Sequence, residues 1–133
     1  MLNREPGCVT DLRNHTQPSH PSKFHLFWNP DFDMKFPLPK CDLIAMPNLP
    51  CTAMENWGIL MFRPEKIFYD SNEAGKYNEM QQICLTVAHE LCHSWFGNLV
   101  TINWWDIVWI NEGFVTFLEY LCVDYLYPSF RNS

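Results

Sequence analysis

His89-Glu90-Leu91-Cys92-His93 is the segment of this chain richest in chemistry. Two histidines four apart on a helix project from one face, one turn apart. Both imidazoles then reach a single zinc ion at roughly 2.0–2.1 Å. Glu90 points about 100° around the helix from His89, so it does not easily share the metal. It can instead reach a water that zinc has made acidic, with a pKa near about 7. A carboxylate there takes the proton as the water attacks a carbonyl. Three fixed residues also occur by chance in unrelated helices, so the motif by itself does not separate zinc chemistry from coincidence. A catalytic zinc needs a third protein ligand and an open position. Glu112, in Asn111-Glu112-Gly113, follows His93 with eighteen residues between them. A lone Glu on a helix is usually solvated, but Ile110 and Phe114 beside this one argue for burial.

The elements that must position these groups follow from periodicity. Apolar residues recur at Tyr77, Met80, Cys84, Val87, Leu91 and Trp95, and gaps of three and four mark one helix face. Asp70, Ser71 and Asn72 are N-cap types, and Gly97 is a natural stop. The zinc motif therefore falls on a helix that the apolar face predicts independently. The eighteen intervening residues hold a stop, a loop and the start of a second helix, enough chain to bring Glu112 back. That second helix is expected from about Asn111 to Tyr125, with Phe114, Phe117, Leu118 and Leu121 on its buried side. Upstream, Asp42 to Met46 reads as a short strand ended by Pro47, Trp57 to Phe62 as a second, and Ile67 to Tyr69 as a short third. The expected class is α+β, short strands followed by the zinc-binding helices. Residues 1–31 hold Pro6, Gly7, Pro18, Pro21 and Pro30 among polar residues and read as irregular or disordered. The five-residue spacing of His15, His20 and His25 fits neither helix nor strand and is read as coincidence.

Composition sets outer bounds. A chain of 133 residues makes at most one domain. A net charge of −6 argues against a nucleic-acid partner. No apolar run is long enough for a transmembrane helix, and the first residues lack the apolar core of a signal peptide. The compartment is left open. None of the six cysteines forms a C-x-x-C pair, which argues against a cysteine zinc site, and Cys84 and Cys92 read as small core residues. Asn14-His15-Thr16 is a glycosylation triplet of a kind common by chance. The aromatic fraction of 16%, with six Trp, is more apolar bulk than so short a chain easily covers, and the chain reads as a piece of a larger protein.

The flanks of the motif carry a resemblance. Thr86 to Thr101, continuing through Trp104-Trp105 to Trp109-Ile110-Asn111-Glu112-Gly113-Phe114, resembles the membrane alanyl aminopeptidase family of zinc gluzincin metallopeptidases. Ala53-Met54-Glu55-Asn56-Trp57-Gly58 looks like that family's G-A-M-E-N-W-G segment, and Phe36 to Lys40 and Ile44 to Pro47 match it too. The resemblance covers residues 32–128. It implies a partial thermolysin-like catalytic domain over 32–133, with one zinc per chain on His89, His93 and Glu112 and Glu90 as general base. Glu55 would hold the free α-amine of a peptide, beside Ala53, Met54 and Asn56 along the substrate. The implied reaction is removal of N-terminal residues from peptides by zinc-activated water.

This sequence departs from the family at several places. Thr52 stands where Gly is usual, and a side chain there can crowd a substrate. Cys92 replaces the usual Ala and Ser94 the usual Gln, without touching the ligands. The family's intermediate-stabilising tyrosine lies well downstream of the zinc glutamate, beyond Ser133; Tyr120, Tyr125 and Tyr127 lie too near Glu112 and read as core or helix-end residues. The family's flanking β and helical domains are likewise expected only in a longer parent. The competing reading is a non-catalytic zinc-binding remnant that lacks that tyrosine and those domains. A hydrolase of a non-peptide substrate, as in one branch of the family, is a third.

Overall fold

The computed structural model describes residues 36–68 and 77–132. The irregular segment expected over 1–31, the N-cap residues 70–72 and Tyr69 lie outside them. Among the described residues the chain forms β1 (Asp42–Ala45), β2 (Ala53–Met54) and β3 (Ile59–Phe62), then α1 (Tyr77–Cys92) and α2 (Val108–Leu126). Short 3-10 turns occupy Pro64–Lys66, Trp105–Ile107 and Pro128–Asn132. The sheet order is β1-β3-β2, with β1 parallel to β3 and β2 antiparallel to it. Strands followed by helices agree with the expected α+β class.

β3 alternates as a half-covered strand should: Leu60 and Phe62 are fully buried while Ile59 and Met61 are not. Leu60 and Phe62 share one core with Ile83, Val87, Ala88 and Leu91 of α1 and with Val115, Cys122 and Val123 of α2. The helix face read from the sequence is the buried one, since Cys84, Val87, Leu91 and Trp95 are nearly inaccessible and Met80 packs against them. Cys84 is buried but also takes part in a disulfide; Cys92 and Cys122 are buried free thiols. α1 stops at Cys92 rather than running to Trp95, because the backbone tightens: Ser94 N–H donates to Leu91 O and Trp95 N–H to Cys92 O, both at 3.0 Å.

Several sequence expectations change. Ile67 and Phe68 are not in a strand. Pro64 opens a 3-10 turn whose carbonyl takes the N–H groups of both residues at 3.3 and 3.0 Å, so they have no donors left for a ladder. Trp57 and Gly58 form a turn before β3, with Gly58 at φ +82 and Ile59 N–H donating to Asn56 O. β2, unforeseen, pairs Ala53 with Phe62 and Met54 with Met61. Arg63 holds the approach to it, donating from Nε to Leu49 O (3.0 Å) and from Nη2 to Pro50 O (3.2 Å). On α2 the buried residues are Val115, Cys122 and Val123, whereas Phe114, Phe117 and Leu121 are exposed and Leu118 is half-buried. That helix is apolar on nearly every side, so its pattern does not say which side faces the core. Of the three tyrosines read as core or helix-end residues, Tyr125 and Tyr127 stand at the end of α2, whereas Tyr120 is exposed within it.

Candidate metal centre

α1 and α2 pack side by side, which brings the end of the first against the start of the second. His89 and His93 lie one turn apart near the C-terminus of α1, and Glu112 sits in the second turn of α2. One ligand atom from each of His89, His93 and Glu112 falls within 4.8 Å of the others. The two Nε2 atoms are 3.2 Å apart, and the Glu112 carboxylate oxygens lie 3.3 Å from His89 Nε2 and 3.6 Å from His93 Nε2. Glu112 is not buried as its apolar neighbours suggested; its side chain is 49% exposed, because its own turn of α2 faces a cavity.

The other ring nitrogens are occupied. His93 Nδ1 lies 3.0 Å from the Phe96 carbonyl, an oxygen that can only accept, so Nδ1 carries the proton and donates. His89 Nδ1 lies 2.5 Å from Glu119 Oε2 and donates to that carboxylate. In neutral imidazoles both Nε2 atoms then present lone pairs to the same point, beside a carboxylate. Such a cluster of acceptors repels itself unless a cation or an extra proton lies among them. The donor set fits a divalent metal of zinc type, with histidine orientation fixed by a carboxylate and a backbone carbonyl. For His89, burial alone would lower the pKa, but the hydrogen bond and charge of Glu119, then the charges of Glu90 and Glu112, leave it raised.

Glu119 is absent from the residues singled out by sequence. The signal was available: it lies seven residues after Glu112, two turns along the same helix face. Glu90 is buried, and its Oε2 has no hydrogen-bond partner among the described residues. Burial pushes its carboxyl up to about 8, the positive His89 opposes this, and the nearby negative Glu55, Glu112 and Glu119 add to it.

Two cavities flank the trio. One, of about 250 Å³, is lined by Glu55, His93 and Glu112 and walled by Ile102, Trp104, Trp105 and Val108. The other, of about 260 Å³, is lined by Thr52, His89, Glu90, Glu119 and Tyr120. Of the segment 53–56, Glu55 lines the first cavity; Ala53 packs on the core, and Met54 and Asn56 are exposed beside it. Asn98 Nδ2–H donates to the Glu55 carbonyl at 2.7 Å.

The chain matches the Peptidase family M1 domain over residues 20–133. It is 46% identical over 101 residues to "Aminopeptidase M1-B" of Oryza sativa subsp. japonica, covering 76% of this chain and 11% of that protein. It is 49% identical over 94 residues to glutamyl aminopeptidase of Sus scrofa, covering 71% and 10%. It is 42% identical over 105 residues to aminopeptidase N of Mus musculus, covering 79% and 11%. The chain thus spans about a tenth of the length of these relatives.

Proposed function

This chain belongs to peptidase family M1, and we propose from that premise that it carries the zinc centre of an aminopeptidase acting on peptides with a free N-terminus. The observation that carries the proposal is the convergence of His89, His93 and Glu112 within 4.8 Å, with Glu55 lining the same cavity as two of them. His89 and His93 would hold zinc through Nε2 and Glu112 through its carboxylate. When bound, zinc supplies a Lewis acid that polarises a peptide carbonyl and lets water act as a nucleophile at neutral pH.

The chain's own residues do the rest. Glu90 takes a proton from the attacking water and returns it to the departing amine. Its buried Oε2, unpartnered among the described residues, supports that role, because none of them competes for the proton. Glu55 faces the α-ammonium of the substrate, and a carboxylate–ammonium contact gains strength where water is excluded. Ile102, Trp104, Trp105 and Val108 give that cavity apolar walls against which a substrate could cover the contact.

The test begins with metal analysis of the purified chain. One zinc is expected, and it should be lost when His89 and His93 are both replaced. Stoichiometric zinc that survives that replacement would sink the ligand assignment. Release of leucine from a fluorogenic amide, with and without chelator, then separates an enzyme from a metal-binding remnant. Acetylating the substrate should cost the charge-assisted contact to Glu55, about 1.5–3 kcal/mol. Equal cleavage of blocked and free substrates would point to an endopeptidase.

A further inference from the structure

The strand segment that carries Glu55 and the helix that carries the metal ligands come from different parts of the chain. Glu55 lies past the end of the β2–β3 ladder, whose last pair is Met54 with Met61. Its backbone is fixed instead from across the cavity. Asn98 Nδ2–H donates to the Glu55 carbonyl at 2.7 Å, in a half-buried setting.

Asn98 is itself locked to the metal helix. Its backbone N–H donates to the carbonyl of His93 at 3.0 Å, a bond that closes the helix end over Gly97. Leu99 N–H donates to Ser94 O and Val100 N–H to Trp95 O, which ties the hook down on its far side. The Thr101 hydroxyl lies 3.0 Å from the carbonyls of both Gly97 and Asn98. Gly97 sits at φ +133, with space for a Cβ only 3.1 Å from His93 Nδ1. The path from His93 to the Glu55 backbone therefore runs through one residue, by one main-chain and one side-chain hydrogen bond.

We propose that Asn98 is a positioning residue that sets the distance between the metal centre and the Glu55 carboxylate. The proposal rests on the aminopeptidase reading given above. A peptide held by its α-amine at Glu55 presents its first carbonyl to the metal only if the two sites are one residue apart. If Glu55 drifts, either the amine or the carbonyl loses its partner. Asn suits the task because its amide donates at a short, fixed reach. Asp is nearly the same shape but, ionised, has no donor, and Ala has neither donor nor reach.

The unsubstituted chain is examined first, loaded with zinc, by nuclear magnetic resonance. A through-hydrogen-bond coupling from the Asn98 side-chain nitrogen to the Glu55 carbonyl carbon, with slow exchange of those amide protons, is expected. Freely exchanging Asn98 amide protons would overturn the proposal without any variant. Asn98→Asp and Asn98→Ala are then compared for zinc affinity, by chelator competition, and for binding of leucine amide and N-acetyl-leucine amide. Both variants should hold zinc as the parent does. Their affinity for leucine amide should fall about threefold to tenfold, as for loss of one hydrogen bond, with the acetylated ligand unaffected. With Mn²⁺ in place of zinc, paramagnetic relaxation at the Glu55 and Asn56 amides should change in both. A parent that prefers leucine amide and variants that keep that preference, with unaltered relaxation, remove Asn98 from the role alone. A zinc-loaded parent that binds the two ligands equally removes Glu55 as the amine site, and the proposal falls with it.

Discussion

His89 has two ring nitrogens and the fold uses both, one toward the ligand cluster and one toward Glu119. The 2.5 Å contact fixes the tautomer and makes Nε2 a better donor to a metal. Glu119→Ala should weaken zinc binding about 10- to 100-fold, and Glu119→Gln, which keeps an acceptor but no charge, less. Competition with a chelator of known affinity measures both, and unchanged binding in the Ala variant would discount the contact. Glu90 gives a pH prediction in the chelated chain. Its folded pKa, about 8, lies above the ordinary carboxyl value because burial disfavours the charge. The folded state therefore binds the proton more tightly than the unfolded chain does. This contribution to stability is complete below about pH 4.3 and is lost as pH rises through about 8. His89, also raised, loses stability in the same direction, and since the Glu90 charge is one cause of its shift, that loss is smaller in the variant. Glu90→Gln cannot ionise, so the denaturation midpoint of the variant should overtake that of the parent as pH goes from 5 to 8. Parallel midpoint curves would show that Glu90 is not buried as a carboxylic acid.

At the level of elements, the end of α1 does more than stop a helix. Its tightened last turn places the Phe96 carbonyl 3.0 Å from His93 Nδ1, and Gly97 turns the chain back at φ +133. A Cβ at Gly97 would meet both an unfavourable backbone region and the His93 ring at 3.1 Å. Gly97→Ala should cost on the order of 1–3 kcal/mol of stability. It should also weaken zinc binding, because the nearest way to relieve the contact is to rotate His93. Chemical denaturation and metal competition on the same sample test the two effects, and a variant as stable as the parent would mean that the loop relaxes freely. The sheet has a simpler part. β3 supplies Leu60 and Phe62 to the core, while Arg63 grips the Leu49 and Pro50 carbonyls and so sets where β2 and Glu55 begin.

For the whole molecule, the governing feature is uncovered aromatic surface. Trp105 is 75% exposed, Trp109 68% and Phe117 62%, with Phe114, Tyr120, Leu121 and Tyr125 also open. A helix apolar on nearly every side is normally enclosed, and patches of this kind on a free chain drive association. No helix among the described residues, α2 included, is long and apolar enough to cross a membrane. The isolated chain should therefore self-associate with rising concentration in sedimentation experiments. Trp109→Lys with Phe117→Lys, neither of which lines the two cavities, should shift it toward monomer while leaving zinc content intact. A parent chain that stays monomeric at high concentration would show that the patch is tolerated.

The sequence by itself put His89 and His93 on one helix face, because a four-residue spacing on a 3.6-residue helix fixes one face whatever the rest of the chain does, and its flanking motifs carried the resemblance to the family. It also determined the core face of α1, whose apolar positions recur cleanly through Cys84, Val87 and Leu91. It could not orient α2, where apolar residues stand on all sides and burial is decided by which side α1 happens to cover. Nor could it foresee β2, two residues long and defined wholly by its partner β3. The ring nitrogen turned toward the ligands, the support from Glu119 and the tie from Asn98 to Glu55 were likewise decided only in three dimensions. The last two are contacts between segments separated in sequence by 30 and 43 residues, and no local periodicity encodes a hydrogen bond across such a gap.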